Sequence, residues 1–406
     1  MRLHALAAVA TVFLATLAAT AAPAQATPYV VIEADTGRVV SEQEATARWY
    51  PASLTKLVTL YVALQAVRDG RVTLQTPLVV SPRANKAPPS KMGFKPGTEV
   101  TLGNALKMLM VKSANDIAIT IAEGLGGSVE DFATMMNAAA VRLGMRESHF
   151  VNPNGLHSDE HFSSARDMAL IGYALFRDFD QYSGFFGIGA LRLEDQIIPT
   201  HNGLLGRYPG ADGMKTGFTC PAGFNVVASA ARGNRRLIAV VLGYPNAKAR
   251  SLKAASLLDT GFASYARRTT IDALPSVAGA PPNMRSRVCG PNRERVAEDD
   301  FATVAGQAQD NERPAFFSSQ GSGPSSGVAV LQAQMGTRPA FEPEEIYIGR
   351  APGYMGPSLS ARSTYVAAAV GAAATAAMVS KPKAAPAKAS KGKPAKPKGK
   401  PKKPAR

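Results

Sequence analysis

Three short strings stand in order along the chain: Ser53-Leu54-Thr55-Lys56, Ser113-Ala114-Asn115 and Lys215-Thr216-Gly217. Together they hold what acyl transfer through a serine ester requires. Ser53 is a nucleophile that stays weak until deprotonated. Lys56, three residues on, stands one turn away on the same helical face. A lysine whose pKa is depressed by desolvation or by a second cation can take the serine proton. Ser113 offers a second hydroxyl for proton relay, and Asn115 an amide to orient the site. Lys215 and Thr216 offer a cation and a hydroxyl for a substrate carboxylate. Gly217 leaves room for a substrate backbone to approach its strand.

Each string alone carries little information. Ser-x-x-Lys recurs at Ser380 and Lys383 and at Ser390 and Lys393, where no site could form. The ordered set carries more, because each string lies in a suitable local context. Pro51-Ala52-Ser53 opens an apolar-periodic run through Leu57, Leu60, Leu64 and Val67 that stops at Gly70. This places Ser53 at a helix N-terminus, where the dipole favours developing negative charge. Ser113-Ala114-Asn115 falls between helical runs over 102–111 and 116–124. Lys215-Thr216-Gly217 begins a strand, followed by antiparallel candidates over 223–231 and 236–243.

Other strings imitate sites without their context. His157-Ser158-Asp159-Glu160-His161 matches H-x-x-E-H literally, but turn residues Asn152-Pro153-Asn154-Gly155 precede it and its polar pattern lacks an amphipathic face. His161 reads as a loop-fixing hydrogen bonder. Met108, Met110, Met135 and Met136 are helix packing. Gly124-Leu125-Gly126-Gly127 lacks the preceding strand of a phosphate loop. No metal or cofactor is expected.

Residues 1–26 combine Arg2 and His4, an Ala/Leu/Val stretch and Ala24-Gln25-Ala26 before Thr27, the pattern of a cleaved secretory signal rather than an anchor. The expected location is the periplasm or cell envelope. Cys220 and Cys289 are the two cysteines. In an exported chain they can close one disulfide tying the catalytic strand's end to the following region; the alternative is two small buried thiols. The formal charge of +16 is uneven: residues 381–406 hold 10 Lys and 1 Arg with no acid, leaving +5 elsewhere. Lysine alternating there with Pro, Ala and Gly describes a disordered arm suited to anionic lipid or envelope polymer, or to no specific partner. Export argues against nucleic acid.

The chain divides into a signal at 1–26, a catalytic domain at 27–266, a linker-like region at 267–362 and an Ala-rich stretch with a basic tail at 363–406. A short apolar piece at Val328, Val330 and Leu331 and one added strand at Ile346-Tyr347-Ile348-Gly349 stand within the linker-like region. Strands cluster at both ends of the catalytic domain, over 29–35, 38–41, 217–218, 224–231 and 237–243. Helices fill the middle and close it, including 129–143 after Ser128 as N-cap and 247–265. One antiparallel sheet with helices on both faces and an inserted helical subdomain fits this order.

At this level the chain resembles the low-molecular-mass penicillin-binding proteins, D-alanyl-D-alanine carboxypeptidases, over residues 28–265. Besides the three strings, the resemblance rests on Tyr29 through Val40 as an opening hairpin. It rests also on Phe150-Val151-Asn152-Pro153-Asn154-Gly155-Leu156 with His161, Ser163, Ser164, Ala165 and Asp167, and on His201-Asn202-Gly203-Leu204-Leu205 leading to Gly213-Met214-Lys215-Thr216-Gly217-Phe218-Thr219. It implies a five-stranded antiparallel sheet with an inserted all-helical subdomain. Ser53 would be the nucleophile, Lys56 its base and Ser113 the proton donor to the leaving D-alanine. Asn115, Lys215, Thr216, Gly217 and Phe218 would bind substrate, with the N–H groups of Ser53 and Phe218 as oxyanion hole. The substrate would be a peptidoglycan stem peptide, with β-lactams as acylating inhibitors. Some relatives carry a second all-β domain; nothing after residue 270 alternates in that way, so it is expected to be absent.

The same residues fit endopeptidase action. A class A-type β-lactamase shares the strings but deacylates with a glutamate followed four residues later by asparagine. Between Ser113 and Lys215 the glutamates are followed at that distance by Gly127, Thr134, Val151, Ser164 and Ile198. A non-catalytic envelope-binding protein, using the basic arm, is the alternative from another class.

Overall fold

The structure is a computed structural model that describes residues 27–277, 279–291, 327–333, 337 and 339–361. The expected signal at 1–26 and the tail at 363–406 lie outside the described residues.

Five strands form one antiparallel sheet: β1 (Tyr29–Glu33), β2 (Val39–Gln43), β3 (Ala211–Thr219), β4 (Gly223–Arg232) and β5 (Arg235–Tyr244). Their spatial order is β2-β1-β5-β4-β3, so the first strand pairs with the last, Tyr29 opposite Val241. The alternation of strand side chains sorts residues cleanly between two cores. Val30, Ile32, Val227, Ile238, Val240 and Leu242 enter the larger core with helical residues such as Met168 and Ile171. Val31, Val226, Ala228, Leu237, Ala239 and Val241 face Ala254, Leu257 and Leu258 on the other side. With both faces covered, the strands carry apolar residues at nearly every position.

Between β2 and β3 the chain runs through α1 (Lys56–Arg68), α2 (Leu102–Val111), α3 (Asn115–Gly126), α4 (Val129–Arg142) and α5 (Ala165–Phe179), and after β5 it ends the sheet domain with α6 (Ala247–Phe262). Ser128 caps α4, its side chain accepting from the Asp131 N–H, as the sequence predicts. The apolar run after Ser53 predicts one buried stripe on α1. Instead Val58, Thr59, Val62 and Ala63 are buried as well as Leu57, Leu60 and Leu64. A helix apolar all round belongs in a core, and α1 is the central post of the helical subdomain.

Three boundaries differ from the sequence reading. Ser53 does not open the α-helix: Ala52–Thr55 form a 3-10 turn and α1 starts at Lys56. Ala52 has a φ of +49°, which breaks regular helix geometry just before Ser53. Lys215 lies inside β3 rather than at its start, because the strand already pairs from Ala211. The added strand is Glu344–Ile346, not 346–349, and it joins a separate three-stranded sheet by pairing parallel with Ala190–Leu193.

The described parts beyond residue 266 pack on the main body. Leu331, on the helix Gly327–Ala333, is buried against the α6 side of the sheet. Arg207 donates to the Thr337 carbonyl, Lys107 pairs with Glu344 at 2.6 Å, and Arg350 grips Glu99 through two nitrogens at 2.9 and 3.1 Å. Cys220 and Cys289 are joined by a disulfide that closes a separation of 69 residues. It fixes the chain just after β3 to the short helix Arg285–Cys289. Closing so long a loop restricts the unfolded chain. Replacing both cysteines by serine is therefore expected to cost about 2–4 kcal/mol in denaturant unfolding under oxidising conditions, and nothing under reducing ones.

Candidate active site

The 3-10 turn that carries Ser53 is held from three sides. The buried amide of Asn225, on β4, donates to the carbonyls of Tyr50 (2.9 Å) and Pro51 (3.3 Å). Trp49 Nε1 donates to the Ala222 carbonyl at 2.8 Å. Gly155 presses on the turn from below: a Cβ there would sit 1.8 Å from the Ala52 carbonyl oxygen, at a φ of +81°. Gly217 meets the same turn across the sheet edge, where a Cβ would lie 2.9 Å from the Pro51 oxygen and 3.0 Å from the Ser53 nitrogen. Gly217 lines the cleft, and its missing side chain also makes room for the turn bearing Ser53.

Lys56 is fully buried beneath Ser53. Its Nζ lies 2.9 Å from Ser53 Oγ, 2.8 Å from Asn115 Oδ1 and 2.7 Å from the Asn154 carbonyl. The last two partners can only accept. The Asn115 amide is held in that sense because its Nδ2 donates to the Pro88 and Pro89 carbonyls at 3.0 and 3.2 Å. A neutral amine therefore spends both N–H groups on Asn115 and Asn154, and its lone pair faces the Ser53 hydroxyl. The pKa of Lys56 is driven well below the ordinary lysine value, chiefly by burial and next by the charge of Lys215, with Asp116 pulling the other way.

Ser113 and Lys215 form a second pair. Lys215 Nζ donates to Ser113 Oγ at 2.9 Å and to the Thr216 carbonyl at 3.1 Å. Ser113 sits at a φ of +59°, a strained conformation that turns its hydroxyl toward β3 just before α3 begins. Burial, then Arg250, lower Lys215 to about 7. Asp116 braces the opposite wall, its carboxylate accepting from the N–H groups of Met92 (3.0 Å) and Gly93 (2.7 Å).

These residues open on a cleft of about 390 Å³ whose lining includes Ser53, Ser113, Asn115, Thr216, Gly217 and Phe218. No carboxylate is among its lining residues. Arg250 contributes a further cation from the first turn of α6. It is buried, and among the described residues it bonds at 3.4 and 3.5 Å through its terminal nitrogens while Nε has no partner. The sequence reading passed over Arg250, although its spacing with Ala254, Leu257, Leu258 and Gly261 puts a cation on the apolar stripe of α6. It also missed Asn225, a buried polar residue near the start of an otherwise mainly apolar strand. His201 lines the cleft too, lowered to about 4 by burial and then by Lys215, Lys112 and Arg250. His161 lies outside it: Nδ1 accepts from the Val151 N–H at 3.1 Å, so Nε2 carries the proton and bonds Thr55 Oγ1 at 2.8 Å. His157 stands edge-on to Tyr50. Both rings of the H-x-x-E-H string are thus part of the loop beneath Ser53.

Residues 15–246 match the D-alanyl-D-alanine carboxypeptidase family. The chain belongs to that family. Its relatives include the D-alanyl-D-alanine carboxypeptidase DacF of Bacillus subtilis, 35% identical over 241 residues, which cover 58% of this chain and 62% of DacF. The match spans about three-fifths of the length of such curated relatives. Among solved structures, penicillin binding protein 5 from Haemophilus influenzae superposes with a TM-score of 0.56 at 35% identity, over 58% of this chain and 70% of that one. Penicillin-binding protein D2 from Listeria monocytogenes in its cefotaxime-bound form gives 0.53 at 28% identity, over 58% and 96%. As a member of this family the chain has a mixed α and β fold built on the five-stranded sheet, with the cleft at the sheet edge facing the helical subdomain.

Because folding lowers both buried amines, the folded chain binds fewer protons than the unfolded one between the depressed values and 10.5. Stability therefore rises with pH through that interval. For Lys215 the window runs from about 7 to 10.5. Lys215→Met is expected to be more stable than the native chain at neutral pH and below, with the gain fading toward pH 10.5, as read by urea unfolding across pH.

Proposed function

We propose that the protein is a serine D-alanyl-D-alanine carboxypeptidase that removes the terminal D-alanine from peptidoglycan stem peptides and is acylated by β-lactams. The observation that carries this reading is the Lys56 amine, 2.9 Å from Ser53 Oγ with its other two contacts on obligate acceptors.

In this reading the substrate's terminal carboxylate enters the cationic end of the cleft, toward Thr216, Lys215 and Arg250. Its penultimate carbonyl carbon comes to Ser53 Oγ. Lys56 takes the hydroxyl proton as Oγ attacks, and the oxyanion forms between the N–H groups of Ser53 and Phe218. The packing of Gly217 against the turn at Pro51 and Ser53, one residue before Phe218, supports this pairing. Asn115 keeps Lys56 oriented. Ser113 passes its proton to the departing amine, and Lys215 can replace it, since an amine near pKa 7 exchanges protons readily at neutral pH. Water then cleaves the ester and restores Ser53. No step calls for a metal or cofactor. Endopeptidase action would use the same residues on a cross-linked substrate. The absence of a Glu–Asn pair at the deacylating spacing disfavours rapid β-lactam hydrolysis.

The substrate implies export, in keeping with the signal-like residues 1–26. Among the described residues no helix is long and apolar enough to cross a membrane. The basic tail would hold the enzyme at an anionic membrane or envelope polymer.

A fluorescent penicillin should label the native chain covalently at Ser53, mapped by peptide mass spectrometry, and should not label Ser53→Ala. Lys56→Arg keeps the charge but cannot deprotonate at working pH, so its acylation rate should fall about 10²- to 10⁴-fold. Lys215→Arg should retain partial activity. Equal and complete loss in both would show that the roles of the two lysines are misassigned. The 11 positive charges of 381–406 should make sedimentation with anionic vesicles fall steeply with salt. Deleting 381–406 should abolish that binding without changing cleavage of a soluble peptide; equal co-sedimentation of both forms would exclude the tail as an anchor.

A further inference from the structure

The acyl-transfer scheme uses the peptide N–H of Phe218 and leaves its side chain without a role. Phe218 is 38% exposed, in a cleft that also presents hydroxyls, amides and cations. It is not a stray surface aromatic. Phe218 on β3 and Phe224 on β4 are register partners, and their rings stack with centroids 4.2 Å apart and planes 28° from parallel. Both line the cleft, together with the apolar side chains of Leu156 and Pro89.

The pair is also rigid. Two residues beyond Phe218, Cys220 is bonded to Cys289, and between the two strands the Ala222 N–H donates to Thr219 Oγ1 while the Ala222 carbonyl accepts from Trp49. An aromatic surface fixed before the ligand arrives gives up little conformational freedom on binding. Its place along β3 fixes the ligand half it meets, given the reading of the preceding section. Thr216 and Lys215 take the terminal carboxylate and Phe218 N–H the reacting carbonyl. The acyl half therefore continues past Phe218 toward Thr219.

The geometry points to Phe218 and Phe224 as a stacking platform for an apolar, preferably aryl, side chain on the acyl half of the ligand. The platform sets preference among acylating ligands; it takes no part in bond making. A stacked aryl group is favoured over its absence by about threefold to tenfold in rate or affinity.

The test compares benzylpenicillin, which carries a phenylacetyl group on its acyl half, with 6-aminopenicillanic acid, which lacks it. Acylation rates are read by intact-protein mass spectrometry for the native chain, Phe218→Tyr and Phe218→Ser. The ratio of the two rates should fall about threefold to tenfold in Phe218→Ser and be kept in Phe218→Tyr. An unchanged ratio in Phe218→Ser would overturn the platform. Should that variant fail to fold, Phe224→Leu, which loses the stacked partner, must lower the same ratio. A second arm does not depend on the nucleophile. Equilibrium binding of N-phenylacetyl-D-alanyl-D-alanine and of its N-acetyl analogue is measured on Ser53→Ala with and without Phe218→Ser. A native chain that no β-lactam acylates would defeat the Ser53 reading, while this peptide pair would still decide the platform: a phenylacetyl preference lost with Phe218→Ser supports it, and no preference refutes it.

Discussion

Everything in the cleft depends on a lysine amine kept dry and pointed. A lysine left in water is protonated at neutral pH and useless as a base. Here burial discourages the charge, and two acceptors without protons of their own take N–H groups of the amine, so that its neutral form keeps a lone pair toward Ser53. The surrounding architecture reads as the set of conditions for that arrangement. The all-round apolar helix α1 exists to bury its own first residue. Asn115 can serve as acceptor only because the Pro88 and Pro89 carbonyls fix its amide. The Asn154 carbonyl is in place because Gly155, in a conformation only glycine adopts readily, lets the loop pass against the Ala52 carbonyl.

The second constraint is electrostatic. Lys56, Lys215 and Arg250 are buried around one cleft without a lining carboxylate, and each is pushed below its ordinary pKa. Such a cluster works against stability and is tolerable because the sheet is clamped elsewhere by two apolar cores and a disulfide. In the proposed reading its use is in the complex, where buried cations attract an incoming carboxylate more strongly than exposed ones would. Burial first, and the charge of Lys215 second, both work against stability and lower Lys56, so the cost in stability and the gain in reactivity share their causes.

Much of this was legible in the sequence, for reasons specific to certain residues. Ser53, Lys56, Ser113, Asn115 and Lys215 are polar groups at fixed places in otherwise apolar, periodic segments, and the structure brings them to one cleft. The strands at both ends of residues 27–266 announced one sheet that joins the start and the end of that region, since their central positions are apolar on both faces. What the sequence did not disclose came from contacts between distant segments. Gly217 is small on account of a turn more than 160 residues away in the chain, which no local pattern records. Arg250 hides in a helix whose stripe is otherwise Ala and Leu, and Asn225 in a strand of Val and Ala. The 3-10 turn at Ser53 escaped notice because its cause is the strained φ of Ala52, which helix periodicity cannot report. The strand Glu344–Ile346 is set by its parallel pairing with the distant segment Ala190–Leu193, which the local pattern at 346–349 does not report.

The central claim is that Lys56 is neutral in the folded protein at pH 7. The most direct measurement is an NMR titration of the lysine side chains, following the ¹³Cε and ¹⁵Nζ shifts of Lys56 assigned by comparison with Lys56→Arg. The account predicts a neutral amine at pH 7 in the free protein, with protonation appearing only on acidification. A Lys56 that stays protonated until the alkaline range of an ordinary lysine would contradict it, whatever the activity of the preparation.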